Sequence, residues 1–413
     1  MANTLKFIDM VAREALAVAH EKCQFIGTVD RQYDDSFGNS GAKIGSTLRV
    51  RNPNKYTRRQ GSRVMDVQDQ NETTQTITVA TQDGVDMRFN SAELTLNTDS
   101  VEDVAAFSKR YIVPAVSSLV SGIEADFLAY ATKATYNVAG TAGTAISDLT
   151  APGIARAKLN QGLAPKDRRN VQMDSITMSS LVKGVAAYFA PNSAISEQYK
   201  EGMVARTSMA DYYENERVWT MTNGSDVTCT MAAAAAVTDG GNVMTMASLA
   251  AAPATGAVFT VPGVYSCHPE TKASLGVLQQ FVITSGTTTI QTVSPAIYLT
   301  GARQNVCSSS GAALTTASFD GTSLVPVFVG SASTSYVQPL MYHPEAFQFV
   351  TADLPLMDDA HKCTRRVQDG LSLRVWQASD IRNDELLMRV DILYGYAALR
   401  PEWSCRLIGS ANA

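Results

Sequence analysis

Leu387-Met388-Arg389-Val390-Asp391-Ile392-Leu393-Tyr394-Gly395-Tyr396-Ala397-Ala398-Leu399-Arg400-Pro401-Glu402 is the stretch on which the reading of this chain turns. Its apolar positions partly alternate with Arg389 and Asp391, the two-residue period of a strand. Residues 386–398 are therefore expected as one strand, and residues 371–378 as another. Gly395 inside such a strand predicts a bend or a close approach of another backbone. Arg400, Pro401 and Glu402 are expected to fix the chain as it leaves the sheet, a structural role rather than direct binding.

Upstream of this strand the charge pattern changes abruptly. Between residues 222 and 338 the only charged residues are Asp226, Asp239, Glu270, Lys272, Arg303 and Asp320. Ala, Ser, Thr, Gly and Val fill the stretch. Strand-like runs such as Val258-Phe259-Thr260-Val261 and Gln280-Phe281-Val282-Ile283-Thr284 are separated by turn signals, among them Asp239-Gly240-Gly241-Asn242 and Asp320-Gly321. Short strands at this spacing predict an all-β sandwich or barrel. The expectation is a separate β domain inserted into an α+β host that is built from both flanks.

On the N-terminal side of that domain, residues 100–133 predict a long helix. Ser100-Val101-Glu102-Asp103 resembles a capping box, with acids at the positive end of the dipole. Val116, Leu119, Val120, Ile123, Phe127 and Tyr130 form an apolar stripe that faces the host core. Pro114 is expected to kink the helix or to start a new one. A continuous helix would run ~50 Å at 1.5 Å per residue. Between it and the β domain, Thr150 is expected to cap a helix reaching Leu159. Ser175–Met178 is read as a short strand, and Ser179 as the cap of a helix reaching Tyr188.

Nearer the start, residues 4–22 carry a helical stripe and residues 34–41 a turn-rich string. Residues 43–90 read as extended, with Leu48 and Val50 alternating with Arg49 and Arg51. Asp83-Gly84 is a hairpin signal. Every charge between Lys43 and Met65 is positive: Lys43, Arg49, Arg51, Lys55, Arg58, Arg59 and Arg63. With few large apolar residues among them, this segment is expected to project and to meet solvent or an acidic surface.

The whole chain is not basic. Its 413 residues carry 34 Lys and Arg against 39 Asp and Glu, a net charge of −5. Only 18% of residues are charged, against a usual share of about 25%, which hints at surface hidden against partners. Mean hydropathy is −0.05, and no apolar run approaches the ~20 residues of a membrane span. The N-terminal residues show no secretory pattern. The six cysteines are scattered and form no CxxC pair, so they are expected as reduced thiols in a cytoplasmic setting. His20 with Cys23, and His361 with Cys363, supply two metal ligands each where a site needs three or four. No nucleophile elbow, phosphate-binding loop or dinucleotide fingerprint occurs. No catalytic residue, cofactor or metal is expected.

Strand followed by Tyr-Gly-x4-Arg-Pro-Glu, a basic projecting segment, a long helix and a charge-poor β insertion together resemble the major coat proteins of tailed bacteriophages. The resemblance is to the short-tailed-phage branch, which adds a β-barrel to the Hong-Kong-ninety-seven-type capsid fold. It implies an α+β fold with an N-terminal arm (1–42), an extended loop (43–90), a peripheral domain with its spine helix (91–140), an axial domain (141–221 and 339–413) and an inserted all-β barrel-like domain (222–338). It also implies pentamers and hexamers of one icosahedral shell around double-stranded DNA, with a scaffolding protein and a portal as partners. The extended-loop cations are then expected to lie across a neighbouring subunit near Glu102, Asp103, Glu124 and Asp126. Tyr394, Gly395, Arg400, Pro401 and Glu402 act as the structural motif. The alternative is a nucleic-acid-binding protein that uses residues 43–65 as a basic arm, with Tyr56 stacking on a base.

Overall fold

The computed structural model describes residues 23–31, 47–59, 61, 63–65, 67–68, 72–90, 111–185, 210–356, 362–368 and 371–409. The expected helix over 4–22, the turn string, Lys43, Glu102, Asp103 and the first turns of the expected long helix lie outside these residues. The described chain is α+β and divides into two compact units.

The first unit draws on the chain up to Val50, on Gln75–Phe127 and on Phe347–Ala397. Its sheet runs in the order Phe347–Ala352, Glu385–Ala398, Leu371–Asp380, Lys362–Gln368, and Thr81–Asn90 also pairs with Glu385–Ala398. The expected strand is thus the central one. Its alternation works as read: Met388, Val390, Ile392 and Tyr394 are buried on one face. On the other face Asp391 stands directly opposite Arg374. Phe25, Phe127, Phe347 and Phe349 fill the core, and Phe127 stacks on Tyr396 with centroids 5.2 Å apart.

The described helix is Val113–Ala134, 22 residues long. That stretch is ~33 Å long at 1.5 Å per residue; the first turns of the rod expected over 100–133 lie outside the described residues. Pro114 is the second residue of this α-helical stretch, and Tyr111 and Ile112 just before it are already helical, in a π turn. Val116, Leu119, Val120, Ile123 and Phe127 are buried, whereas Tyr130, expected in the same stripe, is exposed.

Asp83-Gly84 is not a turn. The strand Thr81–Asn90 runs straight through it, with Gly84 opposite Asp391. A Cβ at Gly84 would meet the Asp391 carboxylate and lie 2.8 Å from the Val390 carbonyl. The glycine makes room for a buried acid. Gly84→Ala is expected to cost about 1–3 kcal/mol through overpacking, read as faster amide exchange along Thr81–Asn90. Gly395 serves the close approach expected of it, since a Cβ there would lie 2.8 Å from the Thr78 carbonyl carbon and 2.9 Å from Val79 Cα.

The second unit draws on Arg51–Thr74, Leu128–Ala346 and the chain from Ala398 on. One sheet has the order Val138–Ala139, Ser404–Leu407, Leu340–Tyr342, Asn170–Met173, Asp211–Glu214. The helices Thr150–Gln161 and Ser175–Val185 share a core with it through Ala155, Leu159, Met178 and Leu181. Ser175–Met178, expected as a strand, is the start of the second helix. Asp174 accepts the Thr177 N–H at 3.0 Å and so caps it. The strand lies just before, at Asn170–Met173, where all four residues are buried and no alternation marks it.

Residues 230–328 form a seven-stranded sheet in the order Val306–Cys307, Val258–Cys267, Ser274–Gly286, Ile290–Ser294, Val243–Ala247, Thr230–Met231, with Val327–Phe328 also paired to Val258–Cys267. The ladder is open. Its last strand is tied by the Met231 N–H to the Leu324 carbonyl at 2.9 Å, on the segment leading to Val327–Phe328. The chain enters and leaves through Thr220–Thr222 and Ser335–Val337, which pair antiparallel. The sheet has a core of its own around Phe259, Phe281, Ile283 and Phe319. It also shares a second cluster with the neighbouring body, where Val138 and Ile408 pack on Val258, Val282 and Tyr336. The charge-poor segment, expected as an inserted β domain, falls within the second unit and keeps a core of its own. Three of its few acids are spent on backbone: Asp226, Asp239 and Asp320 accept the N–H groups of Ala250, Leu299 and Ala236.

Candidate assembly surface and its buried supports

The basic segment is a hairpin. Thr47–Arg51 pairs with Thr74–Thr78, and the Asn52 N–H donates to the Thr73 carbonyl at 2.9 Å. Further out, the Gln68 side chain takes the place of a rung. Its carbonyl accepts the Thr57 N–H at 2.9 Å, and its amide donates to the Thr57 carbonyl at 2.7 Å. Beyond that the Arg59 guanidinium reaches the Val64 carbonyl. These bonds shape the loop, and among its described residues between 51 and 73 none is buried.

All six described cations, Arg49, Arg51, Lys55, Arg58, Arg59 and Arg63, are exposed. The sequence that follows adds Asp66, Asp69 and Glu72, so six cations against three acids leave residues 47–78 at net +3. Arg51 lies 3.7 Å from Glu72, with both side chains more than half exposed; such pairs contribute little to stability. The sequence reading passed over Val64, Met65 and Val67. They stand 77%, 79% and 78% exposed beside the cations. The signal was present: three apolar residues in four positions directly follow the basic run, in a segment with nothing to bury them.

The helix acids separate. Glu124 is fully buried, and its carboxylate accepts the N–H groups of Gln24 at 3.0 Å and Phe25 at 3.1 Å. It holds the start of the short helix Phe25–Thr28 and cannot present its charge to a neighbour. Asp126 is exposed.

Around the Tyr-Gly-x4-Arg-Pro-Glu motif, the chemistry is structural. The Tyr394 hydroxyl donates to Asp83 at 2.6 Å, and its ring stacks on Phe349. Arg400 donates to Glu345 at 3.1 Å and lies over the Trp403 ring at 4.2 Å. Pro401–Trp403 is a 3-10 turn, and Trp403 donates from Nε1 to the Gly162 carbonyl at 3.0 Å. Burial pushes the Glu402 carboxyl pKa up.

Two arginines hold the sheets from within. Asp391 receives Arg374 at 2.6 Å, with both side chains buried, and lies 3.7 Å from Arg389. Arg389 in turn grips Asp86 through two hydrogen bonds of 2.7 and 3.2 Å and holds that carboxyl below its usual range. Three adjacent strands are thereby joined on one face. Arg406, which the sequence reading also missed, is fully buried on the strand Ser404–Leu407. Its guanidinium donates to the Gly256 carbonyl at 2.7 Å, Gln338 Oε1 at 3.1 Å and the Lys133 carbonyl at 3.2 Å. Burial draws its pKa down to about 9, so it stays charged at neutral pH. A cation suits the carbonyl end of the helix Val113–Ala134. It also joins that end to the seven-stranded sheet at Gly256. Arg406→Lys keeps the charge but loses the planar fork. A cost of about 1–3 kcal/mol is expected, read as faster amide exchange within residues 222–338.

Among the described residues no group of three or more His, Cys, Asp or Glu side chains is placed to hold a metal, and no helix is long and apolar enough to cross a membrane. The buried charges hold strands and chain ends in place, and a charged, partly apolar arm is presented outward. Such a division describes a building block that binds through its surface. Residues 93–409 match the family model described as "P22 coat protein - gene protein 5". The chain belongs to the P22 coat protein family and is a bacteriophage coat protein, a major capsid protein of the virion shell. A search of curated proteins found no match. Among solved structures, a chain titled Mycobacterium phage Che8 aligns at a TM-score of 0.49 with 10% identity, covering 92% of this chain and 89% of that one. The capsid of Cyanophage P-SCSP1u aligns at 0.45 with 12% identity, covering 89% and 85%. The capsid of Ralstonia phage GP4 aligns at 0.44 with 6% identity, covering 90% and 85%.

Proposed function

We propose that this coat protein acts without catalysis, assembling through pentamers and hexamers into an icosahedral shell around double-stranded DNA. In this reading the hairpin is the extended loop of a Hong-Kong-ninety-seven-type subunit and lies across a neighbouring copy. The observation that carries it is the hairpin itself, with six exposed cations and three exposed apolar side chains. With +3 on the hairpin and −5 on the whole chain, the remainder carries −8. Identical copies are thus electrostatically complementary, which steers encounter and register. Among the described helix acids Asp126 is the exposed one, and Glu102 and Asp103 belong to the same proposed contact. Assembly in the host cytoplasm, with a scaffolding protein and a portal, belongs to the same reading. The three acids that follow the cations in sequence speak against a nucleic-acid arm, although Tyr56 is exposed. Expression with and without a candidate scaffolding protein, followed by sedimentation and electron microscopy, tests the proposal. Closed shells or capsomers are expected; monomers that bind DNA in a salt-sensitive way would replace it with the alternative.

A further inference from the structure

Cys267 and Cys307 lie on neighbouring strands of the seven-stranded sheet. Tyr265 stands opposite Cys307 and Ser266 opposite Val306, and the Cys267 N–H donates to the Asn305 carbonyl at 3.1 Å. The two cysteines are therefore diagonal neighbours on one face. On a regular ladder such neighbours stand about 7–8 Å apart, with their Cβ atoms somewhat closer. Here the strand Val258–Cys267 carries a register shift between Tyr265 and Cys267, and bulges of this kind bend the strand and increase its twist. The Cys307 thiol approaches the carbonyls of Tyr265 and Ser266, both at 3.8 Å. The Cys267 thiol donates to the Lys272 carbonyl at 3.1 Å. Burial, and next the neighbouring Cys307 thiol, push the Cys267 pKa up to about 11. Both are free thiols and both are buried. Cys307 belongs to a two-residue edge strand, the kind of element that opens locally at low cost.

We propose that Cys267 and Cys307 are a disulfide site, closed by exchange with a low-molecular-weight disulfide and serving as a staple of the seven-stranded sheet. On local opening the Cys307 thiolate attacks one sulfur of the oxidant and expels the first small thiolate. The Cys267 thiolate then attacks the Cys307 sulfur of the mixed disulfide and expels the second. Two cysteine thiols and one small disulfide become one protein disulfide and two small thiols; the protein is oxidised, the reagent is reduced, and the two thiol protons end on the leaving groups. A coat protein reaches the medium outside the cell, where no thiol pool keeps cysteines reduced. The bond would close a loop from residue 267 to residue 307 in the segment with the fewest charges.

The full chain, kept folded, is incubated with glutathione disulfide at about pH 8.5, where thiolate becomes available. The expected result is loss of two thiols per chain and an unreduced peptide map with Cys267 joined to Cys307. The unfolding midpoint of the sheet rises by a few degrees and returns with dithiothreitol. Cys307→Ala shows neither the joined peptide nor the shift; Cys267→Ala serves as the second variant should the first fail to fold. Three results overturn the proposal: glutathione added elsewhere while 267 and 307 stay reduced, a map that joins other cysteines, or an oxidised pair with no gain in thermal stability.

Discussion

Asp391→Ala is expected to destabilise the first unit by about 3–5 kcal/mol, because it leaves Arg374 buried without its counter-charge. The pair sits on adjacent strands at 2.6 Å, and Arg374 has one further bond, to the Pro355 carbonyl. The loss should appear as faster amide exchange along Glu385–Ala398 and Leu371–Asp380. Removing both charges with Arg374→Met and Asp391→Leu should recover most of the stability, since a buried pair replaced by apolar side chains is often neutral. A double variant as unstable as Asp391→Ala would mean that the damage is a packing defect and not an orphaned charge.

Arg58→Glu with Arg59→Glu has the largest expected effect on function. It turns a net +3 hairpin into a net −1 hairpin, while the rest of the chain stays at −8. Like charges placed across an interface cost several kcal/mol and suppress docking. Soluble subunits with an unchanged circular dichroism spectrum and no closed shells are expected, measured by sedimentation velocity and electron microscopy. Arg59 also bonds the Val64 carbonyl, so Arg59→Gln separates loss of that bond from reversal of charge. Shells of normal yield from the charge-reversed protein would show that the hairpin cations do not direct assembly. Exposed charges are screened at high salt, so wild-type assembly should slow as ionic strength rises.

Sequence made the central strand legible because in its first half one face is apolar and buried while the other carries Leu387, Arg389 and Asp391, the first two of them exposed. Such a strand alternates, and Met388, Val390, Ile392 and Tyr394 mark its inner face. Asn170–Met173 has no solvated face and left no pattern, so the strand was read a few residues late. Gly84 carried a turn signal that its neighbours in sequence could not cancel. Its role depends on Asp391, which lies across the sheet and far away in the chain. Glu124 failed as a surface acid for the same reason, since the N–H groups that bury it lie 100 and 99 residues away. Arg406 offered one clue, a lone cation within an apolar run, but its acceptors come from three separate parts of the chain. The basic run of the hairpin was plain in sequence, whereas the exposure of Val64, Met65 and Val67 needed the fold.

A reconstruction of the assembled particle, fine enough to trace residues 47–78, tests the central claim most directly. Each hairpin should cross to an adjacent copy, with Val64, Met65 and Val67 covered and Arg58 or Arg59 beside an acid of that copy. Hairpins standing free in solvent or folded on their own subunit, with copies joined elsewhere, would contradict it.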